Sequence, residues 1–166
     1  MLGLLRRNLR NSSHKIRERA YKGLAEYCST VWSPHTNKDI TRVEMIQRRA
    51  ARFVLQRYQQ RDSVTSMLES LQWKSLEWRR QAASLALLYK IKHNLVAINP
   101  TDYLSPMLPS NTRAYQPWKY QYITSRTQLY GSSFFPRTVL LWNTLPGTVI
   151  SAPSVVTFRG GVVASL

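Results

Sequence analysis

The sequence predicts a mainly α protein: an antiparallel helical bundle over residues 1–98, followed by a Pro-rich, mostly irregular C-terminal region over residues 99–166. Three observations predict it. Between Asn37 and Tyr58, the residues Ile40, Val43, Ile46, Ala50, Phe53 and Val54 fall on one arc of a helix with 3.6 residues per turn. Between Leu76 and Leu95, a wide apolar face of Leu76, Ala83, Leu87, Leu88, Ile91 and Leu95 suits a central place in a bundle. After Ile98 the character changes, and Pro100, Pro106, Pro109 and Pro117 forbid long helices.

Each element has its own signal. Residues 2–10 set Leu2, Leu5 and Leu9 on one side of a short helix, with Arg6, Arg7 and Arg10 around them. An apolar helix with no cap before it reads as the start of a piece cut from something longer. Ser12 and Ser13 offer an N-cap for a helix over 14–31, where Ile16, Ala20, Leu24, Tyr27 and Val31 recur at spacings of three and four. Gly23 weakens its middle by about 1 kcal/mol relative to Ala. Thr36 with Asp39 approximates a capping box and opens the helix over 37–58. Asp62 or Ser63 caps a helix over 63–71, and Ser75 caps one over 75–95. Farther on, Tyr120–Thr124 has the pattern of a strand, and Pro136 at a first helical position opens a short helix near 136–143. Ser154 can cap a turn, which Gly160 and Gly161 should end, leaving frayed terminal residues.

Charge narrows the functional classes. The net charge is +16, from 24 Lys and Arg against 8 Asp and Glu. Residues 1–98 hold 19 basic and 7 acidic side chains, and residues 99–166 hold 5 and 1. Such a chain favours a polyanionic partner, with nucleic acid (RNA or DNA) first and an anionic membrane surface second. On the 37–58 helix, Arg42, Arg48, Arg49 and Arg52 share the arc opposite the apolar one, with almost no acidic relief. Their two readings are a solvated face and a row of phosphate contacts, which Arg6, Arg7 and Arg10 would extend. A structural alternative pairs Arg48 and Arg52 with Glu69 or Glu77.

Other chemistry is hard to find. Cys28 is the only cysteine, so neither an intramolecular disulfide nor a thiolate cluster can form. His14, His35 and His93 lack ligand-like spacing, the acids are scattered, and no Gly-rich phosphate loop or Ser–His–Asp motif is present. The expectation is no catalytic residue, no metal site and no cofactor. No secretory signal and no membrane-spanning stretch are recognisable, so the chain reads as intracellular, in nucleus or cytoplasm. Trp32, Trp73, Trp78 and Trp142 adjoin apolar helical positions and read as packing residues. Trp118 and Tyr120, flanking Lys119 in a Pro-broken loop, are the better candidates for base stacking.

Several strings occur together in order: LGLLRRNLRN at 2–11, KIRERAYKGL at 15–24, EYCSTVWSPHT at 26–36 and IQRRAARFVL at 46–55. They continue with SVTSMLESLQWKSLEWRR at 63–80, LLYKI at 87–91 and SFFPRTVLLWNTLP at 133–146. Jointly they resemble the segment after the catalytic palm in the polymerase of jockey-like non-LTR retrotransposons. The resemblance covers roughly residues 2–158. It implies a thumb-like segment and following C-terminal region of an RNA-directed DNA polymerase. The Phe/Tyr-x-Asp-Asp motif, palm, fingers and endonuclease are missing, so the resemblance carries over no catalytic residue. Between Leu24 and Glu26 the family has several more residues, including an Arg-Pro pair, where this chain has Ala25. Such a loss shifts helical register. Val155 to Arg159 stands where the family has a more charged terminal helix.

Three readings follow. The first is a non-catalytic, nucleic-acid-binding fragment of such a polymerase. The second is a helical module that grips a protein through an apolar face left uncovered. The third is an unselected relic of an element.

Overall fold

The computed structural model describes residues 2–110 and 115–166. The protein is mainly α, and the described residues form no extended strand. The helices are α1 (Leu2–Asn8), α2 (His14–Ala25), α3 (Asn37–Leu55), α4 (Val64–Ser70), α5 (Leu76–Lys92), α6 (Gln128–Gly131), α7 (Phe134–Thr144), α8 (Gly147–Ile150) and α9 (Val155–Ser165). A 3-10 turn lies at Pro100–Asp102. The chain divides into two compact units, Met1–Ser29 with Pro34–Arg79 and Thr30–Ser33 with Arg80–Leu166. That division falls within α5, ahead of the compositional change after Ile98.

In the first unit, α2 packs on α1 and α3, and α3 packs on α4. Their core gathers Leu5, Tyr21, Ala50, Ala51, Phe53, Val54, Met67 and Trp73. The caps follow the sequence. The Thr36 hydroxyl accepts from the Asp39 N–H at 3.2 Å and donates to its carboxylate at 2.7 Å. Ser63 accepts from the Ser66 N–H at 3.4 Å, and Ser75 from the Trp78 N–H at 3.1 Å.

Helix α2 departs from expectation in length and in facing. It ends at Ala25 rather than near 31, and the chain turns through Cys28 with φ of 53°. Its buried side is Arg17 and Tyr21, while Ile16 and Leu24 stay 51% and 43% exposed. The polar and aromatic residues win because they find specific partners. Tyr21 stacks on Trp73 with centroids 5.0 Å apart. The Arg17 guanidinium donates twice to the Val54 carbonyl, at 3.0 and 2.8 Å, and once to that of Ser12 at 2.5 Å. Together these contacts satisfy one buried cation with backbone oxygens.

Three helices stop on left-handed residues that are not glycine. Gln56, Gln72 and Asn94 have φ of 54°, 53° and 54°. In each case the next N–H reaches back five residues: Arg57 to Arg52 at 3.1 Å, Trp73 to Leu68 and Leu95 to Lys90 both at 2.9 Å. This closing motif satisfies carbonyls of the last turn, and it ends α3 and α5 ahead of residues 58 and 95.

In the second unit, α5, α7, α8 and α9 surround Trp142, which touches Phe158 with ring centroids 5.6 Å apart. The expected helix near 136–143 is α7, which starts at Phe134 after Ser133 and carries Pro136 at its third position. The expected strand at 120–124 is one antiparallel bridge, Pro106 to Tyr120. Its two backbone bonds run from the Met107 N–H to the Lys119 carbonyl at 3.0 Å and from the Gln121 N–H to the Ser105 carbonyl at 2.8 Å. On the other edge no second described strand adds on, because the Asn143 side chain accepts from the Tyr120 N–H at 3.0 Å and donates to its carbonyl at 2.8 Å. The frayed end expected after Gly160 is helix α9. A Ser154–Thr157 capping box starts it, and burial of Phe158 and Val162 outweighs the glycines. Gly161 also serves packing, since a Cβ there would meet Val149 at 3.0 Å. Trp32 is exposed rather than packed, with the Arg80 guanidinium 4.8 Å above its ring.

Candidate nucleic-acid interface

Two groups of basic residues concern the first unit's surface, one along α3 and one at its C-terminal end. On α3, Arg42, Arg48 and Arg49 are exposed and Arg52 is half-buried. Helical geometry spreads them over roughly 120° of arc and about 15 Å of axis. The same geometry adds Lys38, also exposed, to the centre of that arc. Only Arg42 has an acidic partner among the described residues, Asp39 at 3.3 Å. The Thr36 hydroxyl, then Arg42, holds the Asp39 carboxyl below its usual range. Both partners are solvent-exposed, and such pairs hold weakly enough to exchange for a phosphate.

The structural alternative for Arg48 and Arg52 does not form. No ion pair joins Arg48, Arg49 or Arg52 to a described acid, Glu69 and Glu77 included. The other ion pairs of this unit lie elsewhere. Glu26 takes Arg79, Asp62 takes Arg57 at 3.2 Å, and Glu18 takes Lys22 at 2.7 Å. Burial alone would raise Glu18, but hydrogen bonds from Lys22 and the Trp73 indole hold it below the ordinary carboxylate value. Glu44 caps α5 through the Glu77 N–H at 3.1 Å. Four of the acids are therefore committed to contacts away from the outer face of α3.

The second group is a cleft of about 780 Å³ lined by Arg6, Arg7, Arg10, Asn11, Phe53, Gln56 and Tyr58. All three arginines expected to assist α3 line it, and no acid does. The Arg6 guanidinium lies 5.5 Å from the centroid of the Tyr58 ring. The Gln56 side-chain amide donates to the Arg10 carbonyl at 2.5 Å, tying the exit of α3 to the exit of α1. Arg17, beneath, fastens Ser12 and Val54.

The expected stacking pair, Trp118 and Tyr120, lies in the second unit. Trp118 and Tyr120 are half-buried and pack on the core of the second unit. Trp118 lies so close to Gly147 that a Cβ there would come within 2.7 Å of its ring. The Trp118 carbonyl accepts from the Trp142 indole at 3.1 Å, and burial raises the Tyr120 hydroxyl above its ordinary value. Both residues thus combine packing contacts with partial exposure.

Sequence reading missed Tyr58, Asn11 and Gln56, which carry no pattern of their own; Lys38 was legible from the same arc as the arginines. Among the described residues, no group of three or more His, Cys, Asp or Glu side chains is placed to hold a metal. No described helix is long and apolar enough to cross a membrane. No protein-family model, curated protein or solved structure matches the chain.

Proposed function

We propose that the chain is a non-catalytic nucleic-acid-binding segment, akin to the post-palm part of a jockey-like non-LTR retrotransposon polymerase. It would hold RNA or DNA through phosphate contacts that position a strand without reading its sequence. One observation carries this reading: Arg48, Arg49 and Arg52 share an outer arc of α3 with no ion-pair partner among the described acids. Keeping cations together and unneutralised costs repulsion, which a polyanion removes. Catalysis is left out of the proposal because the strings at 2–158 resemble a segment lying outside the palm that would hold the catalytic metals. The test is a salt titration of RNA and DNA binding to the purified chain, where a steep log–log slope and slight sequence preference are expected.

A second reading is favoured by a different observation. Ile16, Leu24 and Tyr27, at spacings of eight and three, are exposed on the first unit. A protein partner covering that apolar surface would bind with weak salt dependence, the opposite signature. An unselected relic would show neither kind of binding.

A further inference from the structure

Resting on the nucleic-acid reading above, we infer that the cleft at the end of α3 takes one unstacked nucleotide of a single strand. Its base lies on Tyr58, and the flanking phosphates meet Arg6, Arg7 and Arg10.

Size and composition both fit. The cleft, about 780 Å³, falls within the roughly 300–1,000 Å³ usual for small-ligand sites. Its lining joins three guanidinium groups with no carboxylate, which suits successive phosphates. A purely phosphate-binding surface needs no aromatic ring, yet Tyr58 lines this one. Tyr58 is 52% exposed, which leaves area for a base to meet. The Arg6 guanidinium at 5.5 Å holds the ring by a cation–π contact. Phe53, buried, supplies an apolar wall, and the Asn11 amide offers both a donor and an acceptor to a base edge.

The walls are also fixed in advance. Gln56 donates to the Arg10 carbonyl, and the buried Arg17 donates to the carbonyls of Val54, Ser12 and Arg10. Loop ordering is thus largely complete before a ligand arrives, which favours binding. A base paired within a duplex has both faces covered by its neighbours, so it cannot stack on Tyr58. The cleft therefore makes the chain prefer single strands, a property the α3 face alone would not confer.

The experiment uses the full chain. Anisotropy is measured with a labelled single strand of roughly 12 nucleotides, within the range of about 4–16 that single-strand-binding sites cover, and with a hairpin duplex of matching charge. Variants are Y58L and Y58F, with circular dichroism to confirm folding. Base–aromatic stacking is worth about 1–3 kcal/mol, or roughly 5- to 150-fold in affinity. The expected result is at least about a fivefold loss of single-strand affinity in Y58L, an unchanged duplex affinity, and recovery in Y58F. A strand carrying 2-aminopurine should change its emission on binding to the wild type, as the base leaves its neighbours for Tyr58, an outcome independent of any variant. Wild-type binding without such a change, or Y58L binding both ligands as before, overturns the cleft and leaves the α3 reading standing. Equal losses for strand and duplex also overturn it. No wild-type binding to either ligand removes both.

Discussion

The two units carry similar charge and use it differently. The first holds 16 Lys and Arg against 7 acids, and the second 8 against 1. In the second, Arg126 and Arg159 are exposed but other cations turn inward. Lys92 lies 5.3 Å from the Trp142 ring centroid, and burial lowers it; Arg137 donates to the Ser132 carbonyl at 3.4 Å and is likewise lowered by burial. In the first, one cation, Arg17, is buried as a brace, while Arg42, Arg48 and Arg49 remain on the surface. Net charge alone therefore does not locate a polyanion site. What distinguishes the α3 face is that, among the described acids, only Asp39 pairs with one of its arginines.

The cores differ in the same sense. The second unit is built on an aromatic centre, and Trp142→Ala should cost about 3–5 kcal/mol in urea unfolding. It also removes the indole donor to the Trp118 carbonyl. The first unit depends on a polar brace, so Arg17→Met should cost about 2–3 kcal/mol by leaving the Val54 and Ser12 carbonyls without their donor. Arg17→Lys should not restore it, since one ammonium cannot span both carbonyls. A loss below about 1 kcal/mol for Arg17→Met would make the brace incidental.

Alkaline pH offers a milder way to probe the first core. Burial pushes the Tyr21 hydroxyl from its ordinary 10.0 up to about 12. The unfolded chain therefore loses this proton first, and the stability it represents is present below about pH 10 and is lost as pH rises toward about 12. Denaturant midpoints at pH 8, 10 and 11 should fall in that order, and Tyr21→Phe should flatten the decline. Burial also raises Tyr120, so some decline will remain. The smallest effect concerns helix ends. Gln72→Gly relieves a left-handed residue with φ of 53° and should stabilise by up to about 1 kcal/mol, read as a small rise in Tm.

How much was legible follows from which forces had a local signature. Helix α3 was readable because its apolar arc, its Thr36 cap and its lack of breakers agree. The positions of α5 and α7 were readable for similar reasons. The facing of α2 was not, because its pattern pointed to Ile16 and Leu24 whereas distant partners, Trp73 and Val54, selected Tyr21 and Arg17. The ends at Gln56, Gln72 and Asn94 were hidden because no glycine marks them. Helix α9 was hidden because Gly160 and Gly161 argue locally against it, while burial of Phe158 and Val162 argues for it from afar. At the candidate site, the arginines were visible as a periodic set. The cleft with Tyr58 was not, since it needs residues 6–11 and 53–58 brought together in space.

The central claim is that the α3 face carries the chain's affinity for nucleic acid. Its most direct test replaces Arg42, Arg48, Arg49 and Arg52 together by Gln, which keeps helix propensity nearly intact while removing charge. Binding of the variant to RNA and to DNA is then titrated with salt, beside circular dichroism. The account predicts a folded variant that binds much more weakly, with a log–log salt slope shallower by about three to four units, at roughly 0.7–0.9 per phosphate contact. A folded variant with wild-type affinity and slope would contradict it.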